Sequence, residues 1–539
     1  MKIEVLFLRA ARVALLGVAV SLLLAAYGPR LKPALASGER QYRVGEKALR
    51  SGDYQKAAKF FTDLIINDER DVNAHLGAAF AYFKLQNYSS CYDHAREALK
   101  IDENNARAHA LAGLALLRSG FLSTAVPEFI QAIRLNPKEA LAFGGLAEID
   151  YYENRAKESR LKSSYASTLD QNEPDFLVTF ARASSRLELF EDAADAYERF
   201  LQIAPKTDKE KRERIQGLIR FYRQLAGIRL HQITGPKTSS VPFRLGADRR
   251  PYIKLRVNGR EAIFVLDTGS GFTVISNEAA KRLGVSAVAR GGTSQGVGGS
   301  GKFQIIYGLI KTIGLADLKI DSVPCFIRPF HSPQERAAQD RADGFIGLSV
   351  LSNFVTEIDY REQKLGLYRN LDDNRPGAPP SPDVVLVPFR TTQNGLISVE
   401  TQLDDKHSIN AILDSGASST VVSSEAVHRL RMADSIIKGQ TVQVVGAAGI
   451  TDGVELLFLH NCQVAGLQQN NVRALVMDFA AINETSGFEQ SGILGGDFLH
   501  HFRVTIDFAR SLVAFQPQSS EVIRRLDPTK PDNEHNQPE

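Results

Sequence analysis

The stretch Phe264-Val265-Leu266-Asp267-Thr268-Gly269-Ser270 returns, in similar residues, as Ala411-Ile412-Leu413-Asp414-Ser415-Gly416-Ala417. In each copy an apolar run delivers a carboxylate into a tight glycine turn, and the two aspartates lie 147 positions apart. Around them Gly344-Phe345-Ile346-Gly347 recurs as Gly492-Ile493-Leu494-Gly495, Ile358-Asp359-Tyr360 as Ile506-Asp507-Phe508, and Gln295-Gly296-Val297-Gly298 as Gln443-Val444-Val445-Gly446, each at an offset of 148. Four elements in one order at nearly one offset are an internal duplication. The second half of the chain must therefore fold as two similar lobes.

Within each lobe the hydrophobic pattern has a period of two. Ile253 to Val257, the Asn258-Gly259 dipeptide and Ala262 to Leu266 predict a hairpin that places Asp267 at the end of a strand. Ile397 to Leu403, Asp404-Asp405 and Ile409 to Leu413 repeat the construction. Residues 370–383 carry Pro376, Gly377, Pro379, Pro380 and Pro382, too stiff and polar for a core strand, and predict the inter-lobe linker. The lobes are expected at 241–372 and 383–517, with the turn-rich stretch 235–242 before them and a polar, disordered tail at 518–539.

At these residues the chain resembles the aspartic peptidases, specifically the bacterial retropepsin-like kind, with two lobes fused in one polypeptide. The resemblance implies an all-β bilobal acid-protease fold over roughly residues 241–517, with both Asp-[Ser/Thr]-Gly loops meeting at a pseudo-twofold axis. It makes Asp267 and Asp414 the catalytic pair, sharing one proton and holding a water between them; no covalent intermediate, metal or cofactor is expected. Thr268 and Ser415 would each reach the opposite loop, Gly269 and Gly416 would bring backbone N–H groups near the carboxylates, and the residues around Gly347 and Gly495 would pack beneath. Ser270 could hydrogen-bond its neighbouring aspartate; its counterpart is Ala417, so the two aspartates are expected to be inequivalent.

Residues 291–302 also match a Gly-x-Ser-x-Gly elbow, a Gly-x-Gly-x-x-Gly loop and most of a phosphate-binding loop. All three need a helix directly afterwards, whereas Phe303 to Ile310 has a strand pattern. Within the lobe the same glycines, Gly296, Gly298 and Gly299, with Gly446 and Gly449 in the second copy, predict substrate-binding flaps. Neither flap carries the tyrosine of pepsin-like enzymes, so a glycine-rich, retropepsin-like flap is the better comparison. Calcium is excluded at the two aspartates because further oxygen ligands at alternate positions are missing. The pair His500-His501 lacks any zinc-protease context and is read as structural.

From residue 38 the period becomes helical, with small residues recurring every 34: Gly45, Ala79, Gly113, Ala147 and Ala181 in one series, Ala57, Cys91, Ala125, Ser159 and Ala193 in another. Side chains must be small where two helices approach closely. This pattern resembles tetratricopeptide (TPR) repeats and predicts an all-α solenoid over 38–233, with the fourth unit distorted after Ser159. Thr207-Asp208-Lys209-Glu210 has the form of a capping box before a last helix, expected to be the solvated end-cap of the array. A concave solenoid face would bind a partner protein or an extended peptide.

Lys2, Arg9 and Arg12 precede an apolar run from Val13 to Tyr27, and Ala34-Leu35-Ala36 offers a small-x-small cleavage site. Residues 1–36 therefore read as a signal peptide, or as a membrane anchor if retained, and the protein as periplasmic or secreted. With 65 basic and 62 acidic residues and no long like-charged block, nothing favours nucleic acid. Cys91, Cys325 and Cys462 are far apart and read as small buried apolar residues. Two functions follow: an exported aspartic endopeptidase acting on peptides or proteins, or a non-catalytic peptide-binding scaffold built on the same lobes.

Overall fold

The computed structural model describes residues 42–295, 302–330, 341–369, 383–446, 449–519 and 522–524. The expected export segment, most of the proline-rich linker, and Gly296, Gly298 and Gly299 lie outside them. The described chain begins with five helical hairpins, pairing helix 42–51 with Tyr54–Asn67, Val72–Lys84 with Tyr88–Ile101, Ala106–Arg118 with Leu122–Leu135, Ala140–Tyr152 with Ala156–Leu169, and Asp175–Arg186 with Phe190–Ile203. Asp53, Asp71, Asn87 and Asn105 cap helix starts by accepting a first-turn backbone N–H. The small residues Ala57, Cys91, Ala125, Ser159 and Ala193 are all fully buried. Gly45 and Gly77 lie on the ring of Phe61, and Gly113 and Gly145 on that of Phe129, leaving no room for a side chain.

The fourth hairpin is not distorted. Ala156–Leu169 is a regular helix of 14 residues, as long as Tyr54–Asn67. Ser163 occupies the position that is Phe129 one repeat earlier, and its hydroxyl donates to the Ser159 carbonyl at 2.7 Å. A polar residue therefore fits the core without leaving the helix.

The first lobe starts earlier than its composition suggests. Thr238–Leu245 is a strand with alternating burial, pairing through 238–242 with Lys364–Tyr368 and through Phe243–Leu245 with Pro251–Ile253. Pro251–Val257 and Arg260–Leu266 form the expected hairpin, with Asn258 and Gly259 at φ 51° and 80°, the left-handed pair that a two-residue turn requires. Gly344–Ile346 then runs parallel to Arg260–Leu266, as Gly492–Leu494 does to His407–Leu413 in the second lobe. The glycine-rich stretch of the first lobe lies between strands Ser286–Gln295 and Lys302–Leu315, with no helix following.

A sheet shared by both lobes joins Val385–Pro388, Leu512–Pro517, Phe502–Asp507, Phe354–Asp359, Lys364–Arg369 and Thr238–Leu245 in that order. At its centre Glu357 is paired with Thr505, its own duplicate 148 residues later. The pseudo-twofold axis passes through that pair, and one hydrophobic core runs through both lobes. The tail expected to be disordered from 518 contributes a short strand, Val522–Arg524, on Leu467–Gln469, where an open sheet edge offers unpaired backbone groups.

The last helix, Lys209–Leu225, is not a solvated end-cap. It lies across Ser286–Gln295 so closely that a Cβ on Gly217 would strike the Gly291 backbone, and one on Gly291 would strike Gly217. The Arg220 guanidinium donates to the Arg290 carbonyl at 2.6 Å, and Phe221 stacks on Tyr307 at 4.4 Å between ring centres. Its N-cap is Asp208, which accepts from the Lys211 N–H at 2.8 Å, rather than Thr207. Glu210 pairs with Lys302 of the first lobe instead of closing a capping box. Further up, Phe488 of the second lobe enters the helical core beside Tyr152.

Candidate active site

Strands Arg260–Leu266 and His407–Leu413 end at the same place, and the N–H groups of Asp267 and Asp414 bond to the Ile346 and Leu494 carbonyls, both at 3.1 Å. The loops beyond them exchange four hydrogen bonds. The Thr268 N–H donates to Ser415 Oγ at 3.1 Å, and the Ser415 N–H to Thr268 Oγ1 at 2.9 Å. Thr268 Oγ1 then donates to the Leu413 carbonyl at 2.8 Å, and Ser415 Oγ to the Leu266 carbonyl at 2.9 Å. Both hydroxyls are buried, so each uses its proton and its lone pairs entirely on the opposite lobe.

This lock presses each carboxylate against the other loop's glycine. A Cβ at Gly269 would overlap the Asp414 carboxyl, and one at Gly416 would come within 2.6 Å of Asp267 Oδ1. Glycine is required at both positions for that reason, and the expected pair of aspartates is in direct contact. Gly347 and Gly495 pack beneath, against the carbonyls of Phe272 and Ser419.

The two carboxyls differ in their support. Asp414 Oδ1 accepts the Gly416 N–H at 2.7 Å and the Ala417 N–H at 3.1 Å. Burial raises its pKa, while those donors and a hydrogen bond from Asp267 pull it back. Burial, with the adjacent Asp414 charge, lifts Asp267 well above the usual carboxylate range. Burial and mutual repulsion keep the two from ionising together, so the pair shares one proton. The inequivalence expected from Ser270 and Ala417 has another origin, because the Ser270 hydroxyl turns away to the Phe272 carbonyl at 2.7 Å.

The sequence reading gave three neighbours no place beside the aspartates. Arg250 opposes the rise at Asp267 and is itself held by Asp248, at 2.7 Å, and by the Tyr252 hydroxyl; nothing in its local pattern singles it out. Tyr360 lies near enough to Asp414 to feel its charge, and its ring packs at a tilt against His500 with centres 4.4 Å apart. Burial drives His500 down to about 4, so the imidazole there is neutral. Of the flap glycines, Gly446 and Gly449 pair with each other at the end of the hairpin Ile436–Gly446 and Gly449–Val464, Gly449 at φ 126°. All three cysteines are buried and unbridged, their thiols pushed up to about 12 by burial.

Two separate segments, 253–350 and 399–498, match the aspartyl protease family model, one in each lobe and each containing one aspartate of the pair. Residues 48–117 match the tetratricopeptide repeat model. The chain carries two aspartyl protease domains behind tetratricopeptide repeats. The helical part of the chain is also similar to two solved structures. One is a thermophilic TPR protein of Thermus thermophilus, at 17% identity and TM-score 0.29 over 35% of this chain and 98% of that one. The other is the MamA protein, at 16% identity and TM-score 0.22 over 30% of this chain and 90% of that one.

Proposed function

We propose that the protein is an exported aspartic endopeptidase whose solenoid recruits or positions protein substrates. The observation that carries this reading is the reciprocal Thr268–Ser415 exchange, which holds two carboxyls from distant parts of the chain in contact. The ionised member of the pair takes a proton from a water held between the carboxyls, while the protonated member donates to the scissile carbonyl oxygen. Attack of that water gives a tetrahedral intermediate without a bond to the enzyme, and its collapse with proton return to the nitrogen breaks the peptide bond. The long hairpins of both lobes offer main-chain pairing to an extended peptide. Export is supported by the basic, apolar and small-x-small order of residues 1–36.

The test is digestion of a mixed peptide library by the purified protein at acidic to neutral pH, beside a variant carrying both Asp267→Asn and Asp414→Asn. New termini with the wild type and none with the variant are expected. An intact library with both would leave peptide capture without hydrolysis as the function.

A further inference from the structure

The solenoid's inner face and the catalytic loop of the first lobe border one cavity of about 2200 Å³. Its walls include Tyr54, Tyr88 and Arg182 on the helical side, and Ala480 and Glu484 in the second lobe. Of the two catalytic loops, it is the first that opens onto this space, through Asp267, Gly269, Ser270 and Gly271. Small-molecule sites occupy roughly 300–1000 Å³, so the chamber is built on the scale of a polypeptide.

Both lobes are fastened around it. The Arg118 guanidinium donates to the Gly487 carbonyl at 2.6 Å, and the Glu489 N–H to the Arg118 carbonyl at 2.9 Å. Arg214 pairs with Glu484 at 2.6 Å. A chain of aromatic rings then leads from the repeats to the catalytic loop: Tyr197 to Tyr222 at 6.3 Å, Phe221 to Tyr307 at 4.4 Å, Tyr307 to Phe326 at 5.4 Å and Phe326 to Phe272 at 4.5 Å. On the helical wall Lys84 is paired with Asp175 and with Glu173 behind it, and Arg118 with Glu148. Beside these pairs the chamber presents aromatic surface, with Phe83, Phe190, Phe200 and Phe303 among its lining.

We propose that the solenoid face is an extension of the substrate cleft, not a separate docking module: a peptide cleaved at Asp267 and Asp414 runs its flanking segment on the Asp267 side into the chamber and seats apolar and aromatic side chains there. The proposal rests on the peptidase reading. It makes the enzyme one-sided, because the flank on the Asp414 side leaves the cleft elsewhere. Binding energy from the remote segment then serves the reacting bond.

The experiment uses the full chain and a fluorogenic core peptide, extended by up to eight apolar and aromatic residues on one side or the other. Extension on one side alone is expected to raise kcat/KM by about tenfold or more. Tyr54→Ala and Tyr88→Ala are expected to erase that gain while cleaving the unextended core as the wild type does, which also reports that they fold. Equal gains on both sides, no gain, or a gain that survives both substitutions overturns the chamber. Failure to cut even the core sinks the peptidase reading instead. The chamber is then judged by fluorescence anisotropy of the labelled long peptide, where tighter binding to wild type than to Tyr54→Ala supports it and equal binding overturns it.

Discussion

Asp267 and Asp414 occupy similar turns, and burial raises both, reinforced at Asp267 by the neighbouring charge and opposed at Asp414 by backbone donors. Activity needs one proton on the pair, so kcat/KM is expected to fall as pH drops through the lower value of the pair and again as it rises through the upper one. The basic limb should lie above the ordinary carboxylate range, and a profile lacking it would contradict the shared proton. Stability follows the same sign: a raised folded pKa contributes stability below the unfolded carboxyl value and loses it as pH rises through the folded one. Asp267→Asn is therefore expected to raise the Tm at neutral pH, a difference that closes in acid. Thr268→Ala would strand the buried Ser415 N–H and Leu413 carbonyl and cost about 1–3 kcal/mol in denaturant unfolding, with Thr268→Ser recovering most of it. The aspartates, their glycines and their hydroxyl partners were legible because duplication exposes them. Arg250 and the true direction of the Ser270 hydroxyl were not, since each depends on where another segment of the chain passes.

At the scale of elements, period and turn chemistry carried most of the reading. The 34-residue recurrence gave the helical hairpins, and Asn258-Gly259 gave the turn before Asp267. The last helix shows where this stops. Its apolar stripe at Ile215, Tyr222 and Leu225 marks a buried face, but the stripe does not say which element covers it. Gly217 does, in retrospect: a helix-interior glycine costs roughly 0.5–1 kcal/mol relative to alanine, and here it admits the backbone of Ser286–Gln295. Gly217→Leu is accordingly expected to destabilise by about 1–3 kcal/mol in chemical unfolding, since backbone cannot yield as a side chain would. An exposed cap would tolerate the change. The fourth repeat was misjudged for a related reason, because Ser163 satisfies its hydroxyl within its own helix.

In the whole molecule, repeats and lobes are held together by contacts between segments hundreds of residues apart, which leave no trace in local pattern. Arg118 is the clearest case, bonded to Gly487 and paired with the mostly buried Glu148. Arg118→Met would leave that carboxylate without its cation, and a loss of about 3–5 kcal/mol is expected in thermal or denaturant unfolding. The Glu357–Thr505 register, by contrast, follows from the duplication itself, as two equivalent strands related by a twofold axis pair at the residue the axis crosses. Hydrolysis by one water shared between two lobes is the claim on which the functional account stands. Its most direct test is the steady-state cleavage of one peptide by the two single variants, Asp267→Asn and Asp414→Asn, measured separately. Each is expected to lose about 100- to 10,000-fold in kcat, the range of general acid–base catalysis, whichever lobe is altered. Near wild-type turnover by either variant would contradict it.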